Sequence, residues 1–241
     1  MAKFSILSKK ISENSVKITG DEYKHIVKVL RYKEGDKLEL FDENFITHQA
    51  VIKSISSKQL IAEIYDSLQL NNESELNINL FQAIPKGNKM DFIVQKSTEL
   101  GVKSITPIYT ERTVVQQTTR IKRWSKISLE SCKQSGRNKP VYINDPLNYM
   151  EILKILNEKD VLNILFYENK DNTLKTFLDS LNRQYSTVNL IIGPEGGFTE
   201  NEIKKAENQK INILGLGPRI LRTETAAIAA VSVIQFYMGD L

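Results

Sequence analysis

The sequence predicts an α/β protein in two parts: a small β-rich N-terminal domain with one helix, and a larger C-terminal domain built on a parallel sheet. Three observations carry this expectation. Short apolar runs of strand length fill the first 70 residues. After residue 76 strands alternate with helices, the pattern of a parallel sheet covered on both faces. Near the C-terminus, residues 190–203 (LIIGPEGGFTENEI) and 213–227 (ILGLGPRILRTETAA) each begin as an apolar strand, break at glycines and restart as a helix. Two such elements place two backbone-lined loops at one edge of the sheet, where open α/β sheets bind ligands.

In the N-terminal part, residues 37–42, 50–55 and 60–65 read as strands. The one helix is DEYKHIVKVLR, residues 21–31, with Thr19 and Glu22 spaced as a capping box at its start. Lys33-Glu34-Gly35-Asp36 is a turn signal before the next strand. This is the profile of a small β-barrel with one helix packed on it, spanning 1–70. The polar run 68–76 reads as a linker, and the second domain spans 76–241.

In that domain, residues 76–84 form a strand ending at Pro85, and 89–100 a helix stopped by Gly101. Residues 104–109 form a strand and 120–135 a basic helix ended by Gly136. Helices follow at 148–156, 174–181, 199–208 and 223–238, with strands at 161–167, 188–192 and 211–215. Thr199 and Glu202 again have capping-box spacing. The last helix is apolar on nearly all sides, so it must be buried all round, partly against a second subunit.

With 241 residues the chain suffices for one large domain or two modest ones. Cys132 is the single cysteine, which excludes an intrachain disulfide and a cysteine-built zinc site. His25 and His48 are the only histidines and lie far apart, so no metal is expected. The basic N-terminus lacks the apolar core of a signal peptide, and the apolar stretch 226–234 is too short to span a bilayer. No membrane association and a cytoplasmic location are the expectations.

Charge is unevenly spread. Residues 112–139 hold eight basic side chains against Glu130 alone, inside a chain of net charge +4. Such a block is a footprint for polyanions, though a solvated helix face has the same composition. Four of the eight are arginines, whose guanidinium suits phosphate.

The segment GPEGG lacks the GK[ST] ending of a phosphate-gripping loop and is not GxGxxG. It offers backbone N–H and C=O groups, close approach at Gly196 and Gly197, and the carboxylate of Glu195. The second loop offers Gly215 and Gly217, then Pro218, Arg219 and Arg222. Backbone groups of this kind can read the edge of a purine.

Five segments in order resemble one family. They are HIVKVLR with GDKLELFD, then 86–115 (KGNKMDFIVQKSTELGVKSITPIYTERTVV), 123–137 (RWSKISLESCKQSGR), LIIGPEGGF and LGPRILRTETA. Over nearly its whole length the chain is similar to the small-subunit ribosomal RNA uridine N3-methyltransferases of the RsmE type, within the SPOUT superfamily. Departures are minor: Ser131 and Cys132 replace smaller residues, Lys133 stands where an acid is frequent, and His25 lacks a second histidine beside it.

The resemblance implies a PUA-like N-terminal β-barrel and a C-terminal SPOUT-type parallel sheet threaded into a deep trefoil knot. It implies S-adenosyl-L-methionine between the two glycine loops, on Gly193, Pro194, Glu195, Gly196 and Gly197 of the first. On the second it implies Leu214, Gly215, Leu216, Gly217, Ile220, Leu221, Arg222, Thr223 and Ala226. It further implies a homodimer and, as substrate, 16S ribosomal RNA or the small ribosomal subunit. RNA holding falls to His25, Lys28, Arg31, Lys86, Arg120 and Arg123. Positions 24–31 at helical spacing serve equally as a solvated face around an Ile26–Leu30 seam.

Methylating N3 of uridine requires loss of the imino proton, a donor for charge on the uracil carbonyl oxygens, and an unstacked base. Arg137, Arg112 and Arg222 are the candidate donors, and Glu224 or Glu195 the candidate base. Glu224 equally suits the positive N-terminal end of its helix. Two rivals stand beside this reading. Ribose 2′-O-methylation usually accompanies an SLN-type third motif, where this chain has RTETA. A non-catalytic RNA-binding protein would have no need of intact glycine loops.

Overall fold

Val16 faces Ala62 and Ile18 faces Leu60 across two antiparallel strands, and all four side chains are buried. This alternation builds the first sheet. Its strands are β1 (Lys3–Ser5), β2 (Ile11–Ser12), β3 (Ser15–Thr19), β4 (Lys37–Phe41), β5 (Thr47–Ile55) and β6 (Gln59–Leu68). Their order is β1-β4-β5-β6-β3-β2, antiparallel except for β1 beside β4. Irregularities at Gln49/Ala50 and Ile52/Ser54 bend β5. The result is a half-barrel around Phe4, Ile26, Leu38 and Leu40. The early strands β1–β3 are too short for periodicity to reveal, and β5 and β6 run longer than expected.

The structure, a computed structural model, describes residues 3–42, 46–68, 72–115, 117–156, 160–168 and 172–241. It divides into two compact units, Met1–Glu73 with Cys132–Lys139, and Ser74–Ser131 with Pro140–Leu241. Part of the expected linker, 69–71, lies outside the described residues. Leu68 ends β6, whereas Leu76 is buried in the second unit's core.

In the first unit the helix is shorter than expected. α1 (Gly20–Tyr23) passes into a π-helical turn, Lys24–Val29. The expected capping box is absent. Thr19 occupies the N-cap without a side-chain bond, and the Glu22 carboxylate pairs with Lys133. Arg137 and Glu73 form a second ion pair in this unit, at 2.5 Å.

The second unit contains β7 (Asn77–Ala83), α2 (Lys89–Glu99), β8 (Ser104–Tyr109), α3 (Ile121–Ser135, its last turn counted with the first unit) and β9 (Tyr142–Ile143). There follow β10 (Leu147–Asn148), α4 (Tyr149–Ile155), β11 (Leu162–Phe166), α5 (Leu174–Asp179), β12 (Thr187–Ile192), α6 (Glu200–Asn208), β13 (Asn212–Leu214) and α7 (Thr223–Met238). The sheet is parallel throughout, in the order β10-β8-β7-β12-β11-β13, with β9 also on β8. Alternate residues feed two cores. Leu80, Leu190 and Ile164 point to one face, and Phe81, Ile191 and Leu165 to the other.

Register is marked by amides. Asn79 donates to Asn189 at 2.9 Å, and Asn189 donates to Asn163 at 2.7 Å, each pair directly opposite on β7, β12 and β11. A one-residue slip would send these amides to the other face and strand them in apolar packing.

Gly101 follows α2 with φ of +82°, as the expected C-cap. The 199/202 capping box is present at α6. Within the single chain the last helix is buried on one face. Ala227, Ala230, Val231 and Ile234 are fully buried, but Phe236 is 75% exposed in the single chain, with Val233 and Tyr237 beside it on the surface.

Candidate active site at the carboxyl edge of the parallel sheet

Three neighbouring strands, β12, β11 and β13, end at the same edge, with β11 in the middle. The chain runs β11 to β12 on one side, then crosses to β13 on the other. Such a change of direction opens a crevice at the strands' carboxyl ends. A cavity of about 370 Å³ lies there, inside the second unit.

From the first glycine loop Gly193, Pro194, Glu195 and Gly197 line the cavity. From the second segment come Leu216, Gly217, Ile220, Leu221 and Arg222, then Thr223 and Ala226 of α7. Three expected residues do not line it. Gly196 turns toward Arg112, which donates from Nη1 to its carbonyl oxygen at 2.7 Å. Leu214 accepts from the Tyr167 N–H, and Gly215 is bonded to Asn172 and Leu174. These two act as the root of the second loop.

Tight hydrogen bonds hold the frame. The Thr223 hydroxyl donates to the Gly193 carbonyl at 2.6 Å and accepts from Gln82 at 2.9 Å, tying α7 to the first loop and to β7. A side chain on Gly193 would stand 3.0 Å from the buried Phe198 ring. Glu202 is 2% exposed and accepts from the N–H groups of Glu111 and Thr199, both at 2.9 Å. It therefore fixes the segment that carries Arg112. Burial first, then the Glu202 charge, pushes the Tyr149 phenol well above its ordinary value.

Lys89 was not among the expected site residues. It stands at the first position of α2, where a cation opposes the helix dipole, and that unfavourable placement is the one signal in the sequence. Its ammonium lies 2.8 Å from Glu195 Oε1 and 3.8 Å from Glu224 Oε2. Partial burial pushes the Glu195 carboxyl upward. The Lys89 hydrogen bond, the N–H groups of Glu195 and Lys86, and the Lys89 charge outweigh that and hold it below the usual carboxylate range. Glu224 Oε2 is buried without a hydrogen bond, and Glu224 does not line the cavity. Phe166, Tyr167, Glu168, Ile192, Phe198 and Arg219 also line it without having been expected. Ile192 and Phe198 flank the first glycine loop directly, whereas Phe166, Tyr167 and Glu168, at the end of β11, meet the loops only through the sheet order, which no local pattern reveals.

The candidate arginines fare differently. Arg222 lines the cavity and is exposed, and its guanidinium makes no polar contact among the described residues. Arg112 is committed to Gly196. Arg137, the third candidate donor, is held in an ion pair. It is 6% exposed, its guanidinium grips Glu73, and Glu73 also accepts from the N–H groups of Asn138 and Lys139.

Of the expected RNA contacts, His25, Lys28 and Arg31 are exposed on the first unit, with the His25 ring edge-on to Phe4 at 5.7 Å. In the second unit the Lys86 side chain is exposed. Arg120 donates to the Gly87 carbonyl at 2.7 Å. Arg123 donates twice to Asp91 Oδ2, whose other oxygen accepts from Trp124, and that pairing raises the Arg123 pKa.

A parallel sheet with two glycine loops over one cavity, following a half-barrel in the chain, is the build of an RNA methyltransferase with a PUA domain. The RNA methyltransferase domain family matches residues 72–235, and the RNA methyltransferase PUA domain family matches 18–65. The ribosomal RNA small subunit methyltransferase E of Buchnera aphidicola subsp. Acyrthosiphon pisum is 36% identical over 233 residues, 94% of this chain and 90% of its own length. The crystal structure of the same enzyme from Neisseria gonorrhoeae, bound to S-adenosyl methionine, is 33% identical, covers 100% of this chain and 99% of its own, and superposes with a TM-score of 0.89. A putative methyltransferase of Legionella pneumophila, in complex with the bound cofactor, is 34% identical with a TM-score of 0.88, at 100% and 99% coverage. The chain belongs to the ribosomal RNA small subunit methyltransferase E (RsmE) family.

Proposed function

We propose that this protein methylates N3 of a uridine in 16S ribosomal RNA, using S-adenosyl-L-methionine. The observation that carries the reading is the cavity between the two glycine loops. Its volume of about 370 Å³ lies within the range of small-ligand sites, roughly 300–1,000 Å³. Apolar walls from Ile192, Phe198 and Leu216 suit a purine, and the side-chain-free Gly197 leaves room against Glu168. When bound, the cofactor supplies an electrophilic methyl group on a sulfonium.

The chain's own residues then orient and discharge the uracil. Arg222 is the donor to a carbonyl oxygen, because it reaches the cavity without another partner among the described residues. The acceptor for the imino proton is a carboxylate beside Lys89, either Glu195, which lines the cavity, or Glu224, whose Oε2 is buried. Arg112 and Glu202 hold the first loop in shape. RNA is held by His25, Lys28 and Arg31 of the PUA domain, residues 1–70, and by Lys86, Arg120 and Arg123 of the methyltransferase domain, residues 76–241. The exposed Phe236, Val233 and Tyr237 support a homodimer through α7. The match of the RNA methyltransferase domain family over residues 72–235 supports a trefoil knot at the second loop. A ribosomal substrate argues for work in the cytoplasm.

The deciding experiment is transfer of labelled methyl to ribosomal RNA, followed by nucleoside analysis. N3-methyluridine is the expected product. A 2′-O-methylated nucleoside, or no transfer by a protein that binds the cofactor, overturns the reading.

A further inference from the structure

Three carboxylates stand at the cavity or beside it. Glu195 and Glu224 both face Lys89. Glu168 has no hydrogen bond or ion pair among the described residues, although it lines the cavity. It comes two residues after the end of β11, the middle strand of the three whose loops enclose the site. A Cβ placed on Gly197 would stand 2.6 Å from its Oε1 and 3.2 Å from its Oε2. Both oxygens therefore lie directly against the first glycine loop, in space that the glycine leaves open.

An ionised carboxylate only accepts hydrogen bonds, and its two oxygens sit side by side. A vicinal diol presents two donors with the same spacing, and acidic residues beside glycine loops recur as acceptors for ribose hydroxyls. The amino-acid end of the cofactor, a zwitterion, is better matched by the mixed charges of Lys89 and Glu195. We propose that Glu168 is the acceptor that holds the ribose hydroxyls of the bound cofactor, and so selects ligands that carry an intact ribose. This rests on S-adenosylmethionine as the cofactor of the same site.

The test is calorimetric titration with S-adenosylhomocysteine and two analogues, one lacking both ribose hydroxyls and one lacking the α-amino group. The wild-type protein should lose about tenfold or more in affinity for the dideoxy analogue, the scale of charge-assisted hydrogen bonds. Glu168→Ala and Glu168→Gln should bind S-adenosylhomocysteine more weakly and lose most of that discrimination, with unfolding temperatures near wild type. Full ribose discrimination in a folded Glu168→Ala protein overturns the assignment. So does a variant that ceases to discriminate against the deaminated analogue instead. Failure of the wild-type protein to bind S-adenosylhomocysteine at all would sink the cofactor reading itself, a separate outcome.

Discussion

Arg112 donates from Nη1 to the Gly196 carbonyl at 2.7 Å, and its Cβ stands 3.3 Å from where a side chain on Gly196 would begin. Glu202, one turn into the next helix, accepts from the N–H of Glu111 beside it. The first glycine loop is thus shaped from the side away from the cavity. Arg112→Ala should weaken S-adenosylmethionine binding measurably, and Glu202→Gln should do the same. If both act through one contact, the double variant binds no worse than the weaker single variant. Strictly additive losses in calorimetry would show that the two residues act separately.

Gly197 has φ of +67°, a conformation costly for a branched side chain, and its Cβ position is filled by the Glu168 carboxylate. Gly197→Val should abolish cofactor binding in a protein whose circular dichroism still shows the native fold. Undiminished affinity would remove this loop from the site.

The Lys89–Glu195 pair makes a prediction for pH. The folded-state pKa of Glu195 is depressed, so its contribution to stability is fully present above the unfolded value, about 4.3, and is lost as pH falls through the lower folded value. The difference in unfolding temperature between wild type and Glu195→Gln should therefore be constant through neutral pH and shrink only in acid. The pair is about one-third exposed, so the difference should be small.

Arg137 and Glu73 form a largely buried pair, with side-chain exposures of 8% and 14%. Arg137→Ala leaves Glu73 without its cation and should destabilise the protein by about 3–5 kcal/mol, as broken buried pairs do. Denaturant unfolding reads this directly. A stable Arg137→Ala protein with slow single-turnover methylation would return Arg137 to the catalytic candidates.

Binding to ribosomal RNA should weaken steeply with salt. Arg120→Ala should lower affinity and reduce the salt slope by roughly one, because its own partner, the Gly87 carbonyl, is uncharged. Arg123→Ala should change the slope less, since Asp91 already shares its charge. Equal slopes in both variants would contradict this division.

Local pattern carried the sequence a long way. Alternating apolar residues and glycine breaks located the longer parallel strands, the helices between them and the two loops, but not the two-residue strands β9 and β10, because periodicity needs several neighbours within a turn or a pleat. The order of five motifs did the same for the family. What local pattern could not reach were contacts between residues distant in the chain. Lys89 meets Glu195 across 106 positions and Arg137 meets Glu73 across 64. Glu168 enters the site because β11 lies between β12 and β13, a fact of sheet order. The same holds for Glu22, which pairs with Lys133 across 111 positions rather than with the Thr19 backbone. Periodicity records which face of an element is apolar. Which charge a side chain finally pairs with is decided when folding brings distant segments together, and there burial makes an unpaired charge costly.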